Sequence, residues 1–240
     1  MASQDKTSLS LPPGFELHTL REAGNAFAHA QKIASKGAGI LVWARRFHIA
    51  DFAVVLEPEL PLASARLVFY PAMNALADSL STHCPPQKPV LFVWPDTVTV
   101  DGWVVGGGRL AWPPECSESE IPAWMVFGVM LRLASPAGGE LGYWQHGSTL
   151  EEEGFEDFAA ASLVESFARH LMANIHEFQE NGPQGEMARY ERRLNLEGRA
   201  RILANGDLER AEKREAFAES LAAALSAPSW LDPERGEPLI

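Results

Sequence analysis

Apolar residues are concentrated in short runs through the first 135 residues of the chain. Residues 39–44 (GILVWA) are apolar throughout, and residues 51–56 (DFAVVL) form a second run after a short polar break. Continuous apolar runs of this length, bounded by glycine or charged residues, are typical of buried strands. Further strands are predicted over 90–93, 97–100, 103–105 and 124–133.

Helical spacing of apolar residues is found in five other stretches. In the two longest, 62–81 and 157–179, apolar side chains recur at steps of three and four residues, which is typical of an amphipathic helix. Pro71 lies inside the first of these and should either kink the helix or begin a second one. Shorter helices are predicted in the second half of 15–36, over 186–193 and over 210–227.

The order of these elements predicts an α+β fold. Strands that follow one another with few helices between them favour a mixed, largely antiparallel sheet with helices packed on one face over a doubly wound sheet. We expect a flexible leader over 1–13, one domain over 14–195, and a short C-terminal appendage over 196–240. The appendage would contain a turn at 204–208 and a helix.

Composition and net charge limit the partners and the cellular location that we expect for the protein. The formal net charge is −12, and phosphate backbones attract basic surfaces, so no nucleic-acid partner is expected. Cys84 and Cys116 lack the spacing of a metal site or a disulfide framework. With no signal peptide and no apolar run of about 18 residues, we expect a soluble cytoplasmic protein that does not cross a membrane.

The most specific stretch is VWPDTVTVDGWVVGGG, residues 93–108, in which a Trp-Pro pair is followed by an Asp-Gly hairpin turn and a Val-Gly-Gly run. It resembles the signature of biotin–protein ligases, which runs approximately K-W-P-N-D, three residues, then N-G-K-K-V-G-G-I. The matching residues are Trp94, Pro95, Val100, Gly102, Val105, Gly106 and Gly107. The chain thus resembles the biotin/lipoate A/B protein ligase superfamily, whose element order it follows over about residues 15 to 195.

The resemblance implies a two-step reaction. A carboxylic acid such as biotin, lipoate or octanoate attacks the α-phosphate of ATP, and the acyl-adenylate then passes its acyl group to a carrier-protein lysine. It also implies ATP with magnesium, an acyl-carrier or biotinyl/lipoyl domain as partner, and a homodimer as one assembly. Charge builds on the phosphate in the first step, so the site needs fixed cations and backbone donors.

The chain departs from the family pattern at its lysines. The essential lysine of the signature falls on Val104, and the lysine that opens the signature falls on Val93. Valine supplies no positive charge, which argues against ordinary ligase activity. Arg45, Arg46 and Arg109 are the candidate catalytic residues, since arginine binds phosphate and carboxylate in a bidentate manner. The alternative is that they are solvated arginines at strand ends.

The candidate substrate-binding residues are Trp94, Asp96, Trp103, Gly106, Gly107 and Gly108. The glycines would let the main chain approach a ligand, and the tryptophans would either line an apolar pocket or simply belong to the core. Asp96 would bind a ligand amide or a phosphate-held metal, or else cap a turn. No metal site formed by the protein alone is expected.

Three functions are consistent with these residues. The first is an acyl–protein ligase or transferase that acts through an acyl-adenylate. The second is a catalytically inactive binding or regulatory module on the same fold, which would explain Val104. The third is an ATP-independent acyltransferase, for which Cys116 is a weak candidate nucleophile because its acidic neighbours disfavour the thiolate.

Overall fold

A seven-stranded sheet is the centre of the computed structural model, which describes residues 9–135, 147–155, 158–196, 200–210 and 213–239. Its strands are β1 (Glu16–Leu20), β2 (Ile40–Arg45), β3 (Ile49–Leu56), β4 (Val90–Val93), β5 (Thr97–Val100), β6 (Trp103–Ala111) and β7 (Met125–Arg132). Their spatial order is β1-β2-β3-β7-β6-β5-β4. The β1–β2 pair is parallel and the other neighbours are antiparallel, so the predicted mixed, largely antiparallel sheet is confirmed.

Two strands differ from the sequence-based expectation. Strand β1 was not predicted, because its residues (ELHTL) are only partly apolar and it lies at the edge of the sheet. Strand β6 continues to Ala111 instead of ending at 105, because the three glycines at 106–108 lie inside the strand. A glycine run has no side chains to show the alternation of a strand, so the sequence pattern hides it.

The helices are α1 (Ala26–Ile33), α2 (Leu62–Ala65), α3 (Phe69–Ser81), α4 (Ala160–Asn181), α5 (Gln184–Glu191) and α6 (Phe217–Ser226). Pro71 is the third residue of α3, where its missing N–H removes no hydrogen bond within that helix. Of the two alternatives predicted for Pro71, the structure shows the start of a second helix. Helix α6 begins later than the predicted position 210, because residues 208–210 and 213–215 form strands.

The long helices α3 and α4 cover one face of the sheet, here called the α3–α4 face. The Phe167 ring of α4 lies 5.0 Å from Phe52 of β3 and 6.0 Å from Phe127 of β7, centroid to centroid. Helix α1 covers part of the opposite face, here called the α1 face, where the Phe27 ring lies over Gly128 of β7. The long helices therefore share one face, as expected, and a short helix leaves part of the other face to loops and the C-terminal residues.

The C-terminal region contains more strand than the sequence suggests. Strands β8 (Ala200–Ile202), β9 (Leu208–Arg210) and β10 (Lys213–Glu215) form a small antiparallel sheet. The predicted turn is present, since the Gly206 N–H donates to the Leu203 carbonyl at 2.8 Å. After α6, strands β11 (Leu231–Asp232) and β12 (Glu237–Pro238) pair with each other. Residues 228–239 are called the C-terminal hairpin below.

A predicted capping box is present, but at a different element. Thr149 and Glu152 form a reciprocal capping box, with N–H to side-chain distances of 3.2 and 3.1 Å, but it closes a short turn and not α4.

Residues 1–8 of the expected leader lie outside the described residues, whereas Leu9 and Leu11 contact the core. Within the described ranges, no helix is both long and apolar enough to cross a membrane.

The contact between Gly128 and Phe27 tests how α1 is held. A Cβ atom at position 128 would overlap the Phe27 ring, so we expect Gly128→Ala to lower the free energy of unfolding by about 1–3 kcal/mol. The matched control is Gly185→Ala in α5, where nothing lies within 4 Å of the added carbon. It should stabilise the protein by up to about 1 kcal/mol. Urea unfolding followed by circular dichroism measures both, and equal effects would contradict the assignment.

Candidate functional site

The register of the sheet brings charged side chains together on the α1 face. Gly128, Met130 and Arg132 alternate along β7 and therefore point to the same side. Gly128 pairs with Arg109 of β6, and Met130 pairs with Gly107 on one side and with Asp51 of β3 on the other. Two arginines and one aspartate consequently lie on a surface that is otherwise apolar.

Arg109 is held between two aromatic rings. Its guanidinium carbon lies 4.5 Å from the centroid of the Phe27 ring and 5.7 Å from that of the Trp230 ring. Both distances fall within the range of a cation–π interaction. Burial lowers the pKa of Arg109, and the nearby carboxylates of Asp51 and Asp96 oppose this shift. Because arginine starts from so high a pKa, the group stays charged and carries a positive charge into the apolar face.

Asp51 is completely buried at the N-terminus of α1. Its Oδ2 accepts a hydrogen bond from the Ala26 N–H at 3.3 Å, and its Oδ1 has no partner among the described residues. Burial raises the pKa of Asp51 to about 6, although the Ala26 hydrogen bond and the charges of Arg46 and Arg109 act in the opposite direction. The carboxyl group therefore titrates close to neutral pH.

Asp96 and Trp230 form a buried pair across 134 residues of sequence. The indole Nε1 of Trp230 donates to Oδ2 of Asp96 at 2.7 Å, and the Thr97 hydroxyl donates to Oδ1 at 3.3 Å. Burial raises the pKa of Asp96 to about 6 against the effect of these two hydrogen bonds. A Cβ atom at Gly107 would overlap the indole, so the glycine makes room for the Trp230 ring.

A second carboxylate of the C-terminal hairpin contacts two more arginines. Glu237 pairs with Arg46 and, at 3.3 Å, with Arg132, while His48 Nε2 lies 3.5 Å away. Arg132 also donates to the Pro238 carbonyl at 2.7 Å. The Arg132 side chain is fully buried, so its charge depends on these few partners.

Arg46, Arg109 and Arg132, here called the arginine cluster, have more donors than the described residues satisfy. Nε of all three side chains and Nη1 of Arg132 are buried without a hydrogen-bond partner in the described part of the chain. An unpartnered buried donor on a charged group costs roughly 1–3 kcal/mol or more. This surplus of donors is the chemistry of an anion-binding site.

Four of the residues that the sequence proposed for the site meet here: Arg46, Asp96, Gly107 and Arg109. Gly106 is also buried in β6, where its φ of +141° and the close approach of the Met130 carbonyl favour glycine. Gly108 faces the other side of the sheet, because a Cβ atom there would meet Met73 and Phe127.

The other three proposed residues lie elsewhere. Arg45 follows Ala44, which faces α1, so strand alternation directs the Arg45 side chain to the α3–α4 face. Trp94 donates to the Ser220 hydroxyl of α6 at 3.1 Å, and Trp103 is 49% exposed in its hairpin. The tryptophan that contacts the arginine cluster is Trp230 instead.

Sequence reasoning missed four residues of this site: Asp51, Arg132, Trp230 and Glu237. A signal existed for the first two, since each is a charged residue inside an apolar strand, where its burial could be expected. Nothing in the sequence around Trp230 and Glu237 indicates that this segment returns to the sheet.

Val104 and the two cysteines limit the chemistry. Val104 packs beside Ile49, Met130 and Trp230, and a valine there contributes no charge. The pKa of Cys84 and that of Cys116 are both raised, chiefly by desolvation and further by nearby carboxylates, which disfavours either thiolate as a nucleophile. Among the described residues, no group of three or more His, Cys, Asp or Glu side chains could hold a metal ion.

Comparison with known proteins gives one family. The family model described as "Biotin/lipoate A/B protein ligase family" matches residues 11–192. A search of curated proteins gave no match. Among solved structures, a biotin protein ligase-like protein of unknown function from Silicibacter sp. TM1040 has 24% sequence identity and a TM-score of 0.79, over 89% of this chain and 99% of that one.

Two more distant structures share the fold. The biotin protein ligase of Aquifex aeolicus, in complex with biotin and ATP, has 12% identity and a TM-score of 0.62, over 80% of this chain and 90% of that one. The biotin protein ligase of Leishmania major, in complex with biotinyl-5-AMP, has 12% identity and a TM-score of 0.57, over 82% and 94%. These likenesses establish a common architecture.

The raised pKa of Asp51 predicts a pH-dependent difference in stability between the wild type and Asp51→Asn. The folded protein holds a proton on Asp51 up to a pH of about 6, whereas the unfolded chain releases it near the ordinary value of 3.8. The free energy of unfolding of the wild type should therefore fall, relative to the variant, by about 2–3 kcal/mol between pH 4 and pH 7. Asp96 is present in both proteins, so its own titration largely cancels in the difference.

Urea unfolding of both proteins at pH 4 and pH 7 measures this difference. A stability difference that stays constant across the two pH values would show that the Asp51 carboxyl is not desolvated in the folded state.

Proposed function

This chain belongs to the biotin/lipoate A/B protein ligase family, and from that membership we propose that it binds a small carboxylic acid of the biotin or lipoate type beside the arginine cluster. One observation carries the proposal. Three arginines, of which Arg132 is buried and Arg46 and Arg109 are partly buried, converge on an apolar sheet face and retain four buried guanidinium nitrogens without partners among the described residues. A carboxylate or phosphate would satisfy these donors, and few other ligand groups would.

The charge balance supports an anionic ligand. Arg46, Arg109 and Arg132 are permanently charged, whereas Asp51 and Asp96 have pKa values of about 6 and are partly protonated near neutral pH. Without the C-terminal hairpin the site would thus carry a net positive charge. The surrounding Phe27, Met130 and Ile49 side chains are apolar, which strengthens electrostatic interactions with a bound anion.

The position of Asp96 favours biotin over lipoate or octanoate. Its buried carboxylate accepts an N–H donor in a flat ring, at present the indole of Trp230. The ureido ring of biotin carries such N–H groups, whereas the dithiolane ring of lipoate and the alkyl chain of octanoate carry none. A site built around a buried acceptor discriminates strongly against ligands that leave this acceptor unpaired.

Activation of the acid through ATP is the finer part of the proposal. Arg46 and Arg132 have the unpartnered donors that would hold the α-phosphate while the carboxylate attacks it and pyrophosphate leaves. Magnesium would arrive with the nucleotide, held by its phosphates. The acceptor would then be a lysine of a biotinyl- or lipoyl-type carrier domain.

A second candidate function is supported by Val104. At the place where the family signature has its lysine, this chain has an apolar side chain packed beside Met130 and Trp230. A protein that binds the acid or its adenylate without transferring it would not need that lysine. Neither cysteine supports the third function, an acyltransferase with a thiol nucleophile, because the pKa of each thiol is raised.

Calorimetric titration of the full-length chain tests the proposal. We expect biotin to bind more tightly than lipoate, and Arg109→Met to weaken biotin binding by about 10- to 100-fold, since a charged hydrogen-bond donor is lost while the apolar volume is kept. Arg169→Met, which changes an exposed arginine of α4, is the matched control and should leave the affinity unchanged.

Incubation with biotin and ATP separates the two candidate functions. Release of AMP supports the ligase, whereas tight biotin binding without AMP supports the binding module. If neither biotin nor lipoate bound, or if both arginine variants behaved alike, the arginine cluster would not be the acid site.

A further inference from the structure

The C-terminal hairpin lies on the arginine cluster and fills the place where the acid is proposed to bind. We infer that residues 228–239 act as an internal ligand, which must leave the cluster before an external ligand can enter. The identity of the site rests on the function proposed above, but the release of the hairpin is a property of the chain itself. The hairpin would make this a binding site with two states, one closed by the chain and one open.

Trp230 makes each contact that a flat ligand ring would make. Its side chain is fully buried. The indole donates to Asp96, lies in the space left by Gly107 and presents its ring to the Arg109 guanidinium. An aromatic ring with an N–H group is thus already bound where a ureido ring would bind.

Glu237 supplies the negative charge that the carboxylate of a ligand would bring to the arginine cluster. Its two carboxylate oxygens pair with Arg46 and Arg132, and the Pro238 carbonyl accepts a further hydrogen bond from Arg132. The ring and the carboxylate belong to the two paired strands β11 and β12. Like an acid with a cyclic head, the hairpin therefore presents an N–H donor at one point and a negative charge at another.

Glu237 satisfies only part of the hydrogen-bonding capacity of the arginine cluster, so a ligand with more acceptor atoms can replace it. One carboxylate leaves Nε of Arg46, Arg109 and Arg132, together with Nη1 of Arg132, without partners among the described residues. A phosphate or an acyl-adenylate has more acceptor oxygens than one carboxylate and would satisfy more of these donors. An external ligand can consequently compete with the hairpin even though the hairpin has the advantage of being tethered.

The hairpin is also attached in a way that permits release. In the described part of the chain, its main-chain hydrogen bonds stay within it, from Leu231 to Pro228, from Gly236 to Asp232 and from Leu239 to Trp230. Its strands pair with each other and not with the central sheet. The polar contacts to the body involve a side chain on at least one side, namely Trp230–Asp96, Ser229–Thr97, Glu237–Arg46, Glu237–Arg132, Glu237–His48 and Arg132–Pro238.

Release therefore breaks these side-chain contacts and the packing of the buried Trp230 ring against Ile49 and Met130, but no sheet ladder among the described residues. Segments of this kind open locally at a lower free energy than the core strands of the same protein. The closed state lowers the apparent affinity for an external ligand by the fraction of molecules that are open. Weakening the hairpin should then raise ligand affinity, which is the opposite of what a mutation in an ordinary binding residue does.

Hydrogen–deuterium exchange on the full-length, ligand-free chain tests the release directly. We expect the amides of residues 228–239 to exchange at least about tenfold faster than those of β3 and β7. Glu237→Gln removes the charge that pairs with Arg46 and Arg132, and Trp230→Phe removes the indole hydrogen bond to Asp96. Each should increase hairpin exchange by about 10- to 100-fold. The matched control, Glu234→Gln, makes the same chemical change at an exposed position of the hairpin and should leave exchange unchanged.

Calorimetry with biotin as the probe tests the competition. Glu237→Gln should bind biotin about tenfold or more tightly than the wild type and Glu234→Gln do, and added biotin should speed the exchange of the wild-type hairpin. If biotin bound all three proteins equally and left hairpin exchange unchanged, the hairpin would not be the internal ligand, although the acid site would stand.

If neither biotin nor lipoate bound any of these proteins, the proposed function would fail and the exchange measurement alone would decide the inference. A hairpin that exchanges only together with β3 and β7, unaffected by Glu237→Gln, would be a permanent part of the fold and would overturn it.

Discussion

The structure depends on how three arginines are kept in an apolar environment. Arg46, Arg109 and Arg132 lie on or beside the α1 face, which is otherwise lined by alanine, valine, methionine and phenylalanine. Removing a guanidinium from water costs several kcal/mol unless carboxylates or aromatic rings replace the solvent. Asp51, Asp96 and Glu237 provide the carboxylates, and Phe27 and Trp230 provide the rings, so most unusual features of this face follow from the arginines.

The partners differ in where they come from. Asp51 and Asp96 belong to the body of the domain, where burial raises their pKa to about 6 and reduces the negative charge that they supply near neutral pH. Glu237 belongs to a two-stranded hairpin with no ladder to the central sheet in the described residues. A carboxylate that the charge balance needs is thus carried on a segment that shares no sheet ladder with the central sheet in the described residues, and the proposed exchange with a ligand acid starts from this arrangement.

Much of the architecture could be predicted from the sequence, because buried strands and amphipathic helices have distinct apolar periods. Residues 93–108 contain the motif, and Asp96 and Gly107 of the motif, with Arg109 directly after it, lie together around the Trp230 ring. The Trp94 and Trp103 placement could not be predicted, because a tryptophan in an apolar stretch carries no information about which sheet face it joins. The contact of Trp230 with the site could not be predicted for another reason. Its partner Asp96 lies 134 residues away in the sequence, and no local pattern indicates such a contact.

Tyr190 of α5 is buried on the α3–α4 face, and its hydroxyl donates to the Pro95 carbonyl at 2.6 Å. It also stacks on Phe92, with ring centroids 4.7 Å apart. The main chain that carries the Asp96 carboxylate is therefore braced from behind, by a helix on the far side of the sheet. A substitution in α5 can accordingly displace the Asp96 carboxylate without changing any residue of the arginine cluster.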